Sequence, residues 1–192
     1  MKYKTLHHIA RHIDHLIDHN IVTKNSTFIQ QESLKKLVLA NFPDLFVMSF
    51  GWHKIAFGVR SLKEEVVLKV GAKRVIENDH IAYKRVPESV RHMVFAKIFW
   101  HTKYCLLQEY GYPAQVTPNQ LVEVRRLVYR YGIFDVKAEN LKRIDGKLKI
   151  VDANVTRFLQ PTILRKVDEA KSKMPKRLIS VIRKFTRPFY ER

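Results

Sequence analysis

The chain has 192 residues, 46% of them apolar, enough to bury a core and too apolar for a disordered chain. Lys and Arg outnumber Asp and Glu 36 to 18, and the formal charge of +18 points to an anionic partner: nucleotide phosphates, nucleic acid, a phospholipid surface or an acidic protein. Cys105 is the one cysteine, which excludes an internal disulfide and a cysteine-based metal site and fits a reducing cytoplasm.

No apolar stretch approaches the length that crosses a bilayer, and the first residues lack the apolar core of a secretory signal. Residues 5–20 read as an amphipathic helix, with Leu6, Ile9, Ile13, Leu16 and Ile17 at helical spacing. His8, His12, His15 and His19 form a second stripe, readable as a metal or phosphate site, a pH sensor or a plain polar face. A short helix is expected over 31–40, ending before Phe42-Pro43. Strands follow over 45–49 and 55–60, then a turn at 61–64 and a third strand over 65–70 closed by Gly71, together an antiparallel meander.

A helix is expected over 73–85, then strands over 94–99 and 104–109 joined by residues 100–103. Cys105 lies in the second of these apolar runs and reads as a buried, inert thiol. Thr117-Pro118 starts a helix over 118–131 and Gly132 stops it. Two short strands, 140–144 and 147–151, flank the turn dipeptide Asp145-Gly146. Residues 161–192 read as a basic helical tail, with Leu178, Ile182 and Phe185 on one face.

The chemistry concentrates after the helix stop. Asp135 is followed two residues later by Lys137 and five later by Asn140, and Asp152 closes the apolar strand beyond the hairpin. A plain alternative is a surface loop where Asp135 and Asn140 cap turns. The arrangement resembles the catalytic and metal-binding loops of protein kinases, in which Asp-x-Lys-x-x-Asn precedes a hairpin and a second Asp. The resemblance spans about residues 45–160. It implies that Asp135 is the base, that Lys137 neutralises the transferred phosphate, and that Asn140 and Asp152 hold Mg²⁺.

Upstream, Val66-Val67-Leu68-Lys69 resembles the family's ATP-binding strand, and Lys69 would be costly to bury without a phosphate and a carboxylate. Glu77 is the expected carboxylate, with Asp79 second. The segment 106–111, including Glu109, resembles the hinge whose backbone meets adenine. Gly51 and Lys54 stand where the family has its phosphate-covering glycine loop; Gly51 would let backbone N–H groups approach phosphate, and Lys54 would add a side-chain charge. The expected ATP-binding set is thus Gly51, Lys54, Lys69, Glu77 and Glu109.

The implied fold is α+β and two-lobed, with an antiparallel sheet in the first lobe and a minimal helical second lobe. Its divisions are a helical extension (1–42), a first lobe (43–111), a second lobe (112–160) and the basic tail (161–192). The chain departs from the family at Ile133-Phe134, where His-Arg is usual, and at Ala153-Asn154, where Phe-Gly is usual. It has no Ala-Pro-Glu motif, and only 40 residues follow Asp152, too few for the usual substrate-docking helices. Residues 1–42 are expected to pack as substitutes for them.

Lys137 favours transfer of the γ-phosphate of ATP to a hydroxyl in the manner of Ser/Thr kinases, on a protein or glycolipid acceptor. The alternatives are a catalytically weak regulatory pseudokinase and a kinase of small molecules or lipid-linked sugars. The tail packs on the second lobe, meets an anionic membrane surface, or binds nucleic acid. The expected location is the cytoplasm, with a peripheral position at the membrane as an extension of that reading.

Overall fold

The segment Lys54–Val59 alternates Ile55, Phe57 and Val59 with Lys54, Ala56 and Gly58, and the fold follows from where each set is placed. The computed structural model describes residues 3–19, 23–25, 28–51, 53–133 and 135–153, all within the unit Met1–Val155. The expected helical tail at 161–192 lies outside the described residues.

The chain opens with helix α1 (Lys4–His19), a small antiparallel pair β1 (Thr23–Asn25) and β2 (Phe28–Ile29), and helix α2 (Gln31–Asn41). Three strands follow: β3 (Leu45–Phe50), β4 (Lys54–Val59) and β5 (Val66–Gly71). They form the expected meander, and a single 3-10 turn, Arg60–Leu62, occupies the predicted loop. Helix α3 (Lys73–Arg85) matches its expected bounds. Helix α4 (Glu88–Val94) then fills a stretch that no helix was expected to occupy.

Strands β6 (Ile98–His101) and β7 (Cys105–Glu109) complete an antiparallel five-stranded sheet of order β3-β4-β5-β7-β6. The expectation of a strand over 94–99 is corrected. Val94 ends α4, and Trp100 and His101 are strand residues. The turn lies at 102–104, and Asp14 of α1 fixes it there. Asp14 accepts from the Thr102 hydroxyl at 3.0 Å and from the Lys103 and Tyr104 amides at 3.0 and 2.9 Å.

Beyond the sheet lie β8 (Tyr112–Pro113), helix α5 (Pro118–Tyr129), a 3-10 turn (Ala138–Asn140), and strands β9 (Leu141–Ile144) and β10 (Lys147–Ile150). Strands β10, β9 and β8 make a second, three-stranded sheet. A capping box starts α5: the Thr117 side chain accepts from the Gln120 amide, and the Gln120 side chain accepts from the Thr117 amide. The β9–β10 turn carries Asp145 and Gly146 at φ 48° and 75°, the left-handed pair that a tight two-residue hairpin demands.

Two hydrophobic cores result. The first joins Leu6, Ala10, Ile13 and Ile17 of α1 and Leu34 and Val38 of α2 to one face of the five-stranded sheet. Residues 1–42 were expected to stand in for second-lobe helices; instead α1 and α2 cover the sheet. The reason is visible in α1, whose apolar stripe matches the alternating Ile55, Phe57, Leu68 and Val70. Cys105 is buried in this core, where burial pushes its thiol well above the usual range. The second core joins Tyr83 and Val86, Phe95, Val124 and Val128 of α5, Ile133, Leu141 and Ile150. Among the described residues, no helix is long and apolar enough to cross a membrane.

Candidate functional site

Register places the two lysines of the site. Ala56 of β4 pairs with Lys69 of β5, and Lys54 pairs with Gly71. Lys54 and Lys69 are therefore diagonal neighbours on one face, while Ile55, Phe57, Leu68 and Val70 point into the first core. The glycine opposite Lys54 is a steric requirement. A Cβ at residue 71 would come within 2.6 Å of the Lys54 Cβ and 2.7 Å of the His53 carbonyl.

Two carboxylates receive these cations. Lys54 Nζ lies 2.5 Å from Asp79 Oδ2 and 2.9 Å from Asp152 Oδ1. Lys69 Nζ lies 3.6 Å from Asp79 Oδ2 and donates to the Val151 carbonyl. The expectation that Glu77 serves Lys69 is corrected. Glu77 faces outward and pairs with Lys73 one turn back, at 3.8 Å. Helix phase explains the exchange: Ile76, Asp79 and Tyr83, at steps of three and four, form the buried face of α3, and Glu77 falls off it. That spacing was readable in the sequence.

Burial opposes every charge in this network. It pulls the Lys54 ammonium down, yet the Asp79 and Asp152 carboxylates leave it above the ordinary lysine value. Lys69 ends below that value, through burial and the Lys54 charge. Burial also lifts Asp79 above the usual carboxylate range against the pull of both lysines. For Asp152 burial acts upward too, but Lys54 and Lys69 overcome it and hold the carboxyl below the usual range. Asp152 is thus a stable anion at neutral pH.

The loop after α5 brings the remaining groups. Arg125 donates to the Val136 carbonyl at 2.8 Å, fixing the loop to the helix. Asp135 and Lys137 are 3.9 Å apart, and both reach solvent. The Val151 amide donates to the Asn140 carbonyl at 2.9 Å, so the strand end carrying Asp152 runs beside Asn140.

Gly51, Lys54, Lys69, Glu109, Asp135, Lys137, Asn140 and Asp152 all line one cleft of about 550 Å³, with Met48 and Phe50 also in its wall. Of the expected site residues, only Glu77 is missing from it. The Gly51 amide donates to the Lys54 carbonyl at 2.9 Å, and Gln31 donates to the Gly51 carbonyl. That N–H is committed within the β3–β4 turn, so the charge on this wall comes from Lys54. Glu109 anchors the expected hinge through its carboxylate, which accepts from the Lys97 amide at 3.1 Å and from Lys149 at 3.3 Å.

Asn140, in the 3-10 turn before β9, and Asp152, just beyond β10, offer an amide oxygen and an ionised carboxylate to the cleft, a donor set suited to a hard divalent cation that keeps waters and phosphate oxygens as its other ligands. Among the described residues, no group of three or more His, Cys, Asp or Glu is arranged to hold a metal. In the histidine stripe of α1 the His15 and His19 rings lie 3.9 Å apart, tilted by 37°, and His12 meets Phe42 edge-on. No protein-family model matches the chain, and no curated protein matches it.

Proposed function

We propose that this chain is an ATP-dependent phosphotransferase of the Ser/Thr protein-kinase-like type, with nucleotide held between the five-stranded sheet of a first lobe and the 135–152 segment of a second. The observation that carries the reading is the meeting of Lys54, Lys69, Asp135, Asn140 and Asp152 in one cleft, Lys54 touching Asp152 across 98 residues of chain.

Phosphoryl transfer is mainly positioning and charge neutralisation, which this residue set suits. Lys54 and Lys69 offer cationic groups to the phosphates. Asp135, exposed at the cleft wall, accepts the proton of an acceptor hydroxyl, and Lys137 beside it offsets charge on the transferred group. Asn140 and Asp152 would hold Mg²⁺, which supplies neutralisation of the phosphate oxygens when bound. The acceptor is a hydroxyl on a protein or a glycolipid.

Incubation with labelled ATP, Mg²⁺ and a panel of such acceptors is expected to give transfer that Asp135→Ala lowers by about 100-fold or more. Equal transfer by the two proteins would remove Asp135 as the base. In this reading the enzyme acts in the cytoplasm, with the basic segment 161–192 drawn to anionic membrane surfaces. Co-sedimentation with phosphatidylserine vesicles that survives deletion of that segment counts against the second statement.

The Lys54–Asp152 ion pair favours a second reading, a regulatory pseudokinase in which a lysine takes the place of the metal. A thermal-shift titration separates the two, since a ligand that binds only the native state raises its melting temperature. The enzyme reading expects Mg²⁺ to deepen the ATP-induced shift. The pseudokinase reading expects the same shift with and without Mg²⁺, and no transfer.

A further inference from the structure

Four polar or charged side chains are buried among the described residues: Lys69, Asp79, Gln108 and Lys149. Three of them have partners, Lys69 at Val151, Asp79 at Lys54 and Lys149 at Glu109. Gln108, only 3% exposed, makes no side-chain hydrogen bond among the described residues, and its amide keeps its remaining exposure on the cleft.

Its placement says where the partner comes from. In β7, Leu107 points into the first core, so Gln108 points to the other face. Its cross-strand neighbours are Val67 and Ile98, and Lys69 follows two residues after Val67 on the same face. Gln108, Val67 and Lys69 all line the cleft. Gln108 also lies in the 106–111 segment, whose backbone is expected to meet the base.

We infer that Gln108 reads the base of the bound nucleotide and selects adenine over guanine. The inference rests on the nucleotide reading of the cleft. A carboxamide offers an acceptor and a donor side by side. Adenine presents the complementary pair on its N6/N7 edge: Oε1 accepts from the N6 amino group, and Nε2 donates to N7. Guanine presents two acceptors there, O6 and N7, which leaves Oε1 facing a lone pair. Gln108 is a specificity residue in this assignment, separate from the groups that meet the phosphates.

The test is calorimetric titration of the full chain with ATP, 7-deaza-ATP and GTP, each with Mg²⁺, for the wild type and Gln108→Met. Methionine keeps the length of the side chain and removes its amide. The wild type is expected to bind ATP about 10-fold or more tighter than either analogue, one good hydrogen bond's worth of discrimination. Gln108→Met is expected to bind all three within about 3-fold, chiefly by losing affinity for ATP. Equal affinity of the wild type for ATP and 7-deaza-ATP overturns the assignment whether or not the variant folds. So does an unchanged preference in the variant. Either result leaves the nucleotide cleft standing, whereas no binding of any of the three nucleotides overturns both.

Discussion

The five-stranded sheet has two faces built by one alternation, and they end in opposite physical states. On one, Ile55, Phe57, Leu68, Val70, Cys105 and Leu107 lie under α1 and α2 in the first core. On the other, Lys54, Lys69 and Gln108 face the cleft, two of them ammonium groups that burial penalises. The covered face gains stability from apolar area removed from water, and the cleft face spends part of that gain on holding charges close together. The contrast separates residues that keep the fold from residues that line the cleft, although they alternate along the same strands.

The largest expected effect breaks the covered face. Phe57→Ala empties a fully buried aromatic site in the first core. Urea denaturation is expected to show a loss of about 3–5 kcal/mol, and no change on the cleft face should restore it. Asp79→Asn comes next, because it leaves two buried lysines with one fewer carboxylate. The expected loss is about 3 kcal/mol. Here a second change should help: Lys69→Met in the same chain is expected to recover part of the loss, and its failure to do so would show that the loss comes from Lys54, the nearer partner of Asp79.

Gly71→Ala is the sharper probe of the cleft. The added methyl group meets the Lys54 Cβ and the His53 carbonyl, at an expected cost of about 1–3 kcal/mol. Its ATP-dependent thermal shift should fall further than its stability, since Lys54 is displaced. A variant with a normal shift would mean that Lys54 does not meet the nucleotide.

The smallest effect is a pH dependence at the end of the sheet. The His80 ring lies 4.0 Å from that of His101. Burial, then His101 and the charges of Lys84 and Arg91, lower the His80 pKa from 6.5 to about 4. Its folded value lies below its unfolded one, so its contribution is present above pH 6.5 and fades as pH falls towards 4. Urea midpoints at pH 7 and pH 5 are expected to differ less in His80→Gln than in the wild type.

Much of this was legible where a local signal decides the outcome. The apolar run from Ile55 marked a strand, Thr117-Pro118 marked a helix start, and Asp145-Gly146 marked a hairpin. The resemblance carried by Asp135, Asn140 and Asp152 implied that they meet Lys69, and all four line one cleft. What escaped depends on distant partners. The turn at 102–104 is set by Asp14, roughly ninety residues earlier, and nothing in its own sequence marks it. Helix α4 is seven residues long, too short to reveal a period, and its apolar end merges with the next strand. The choice of Asp79 over Glu77 is local and follows from the phase of Ile76, Asp79 and Tyr83 on α3, whereas the unpaired state of Gln108 is a property of packing that no spacing encodes.

The bonds from Asp14 to residues 102–104 also impose an order of events on biosynthesis. The first helix leaves the ribosome long before the turn it clasps exists, and Leu6, Ala10, Ile13 and Ile17 gain the last of their core partners only when β7 is made. A segment made early thus docks late, and its sticky stripe is the part of the nascent chain most in need of a chaperone's cover.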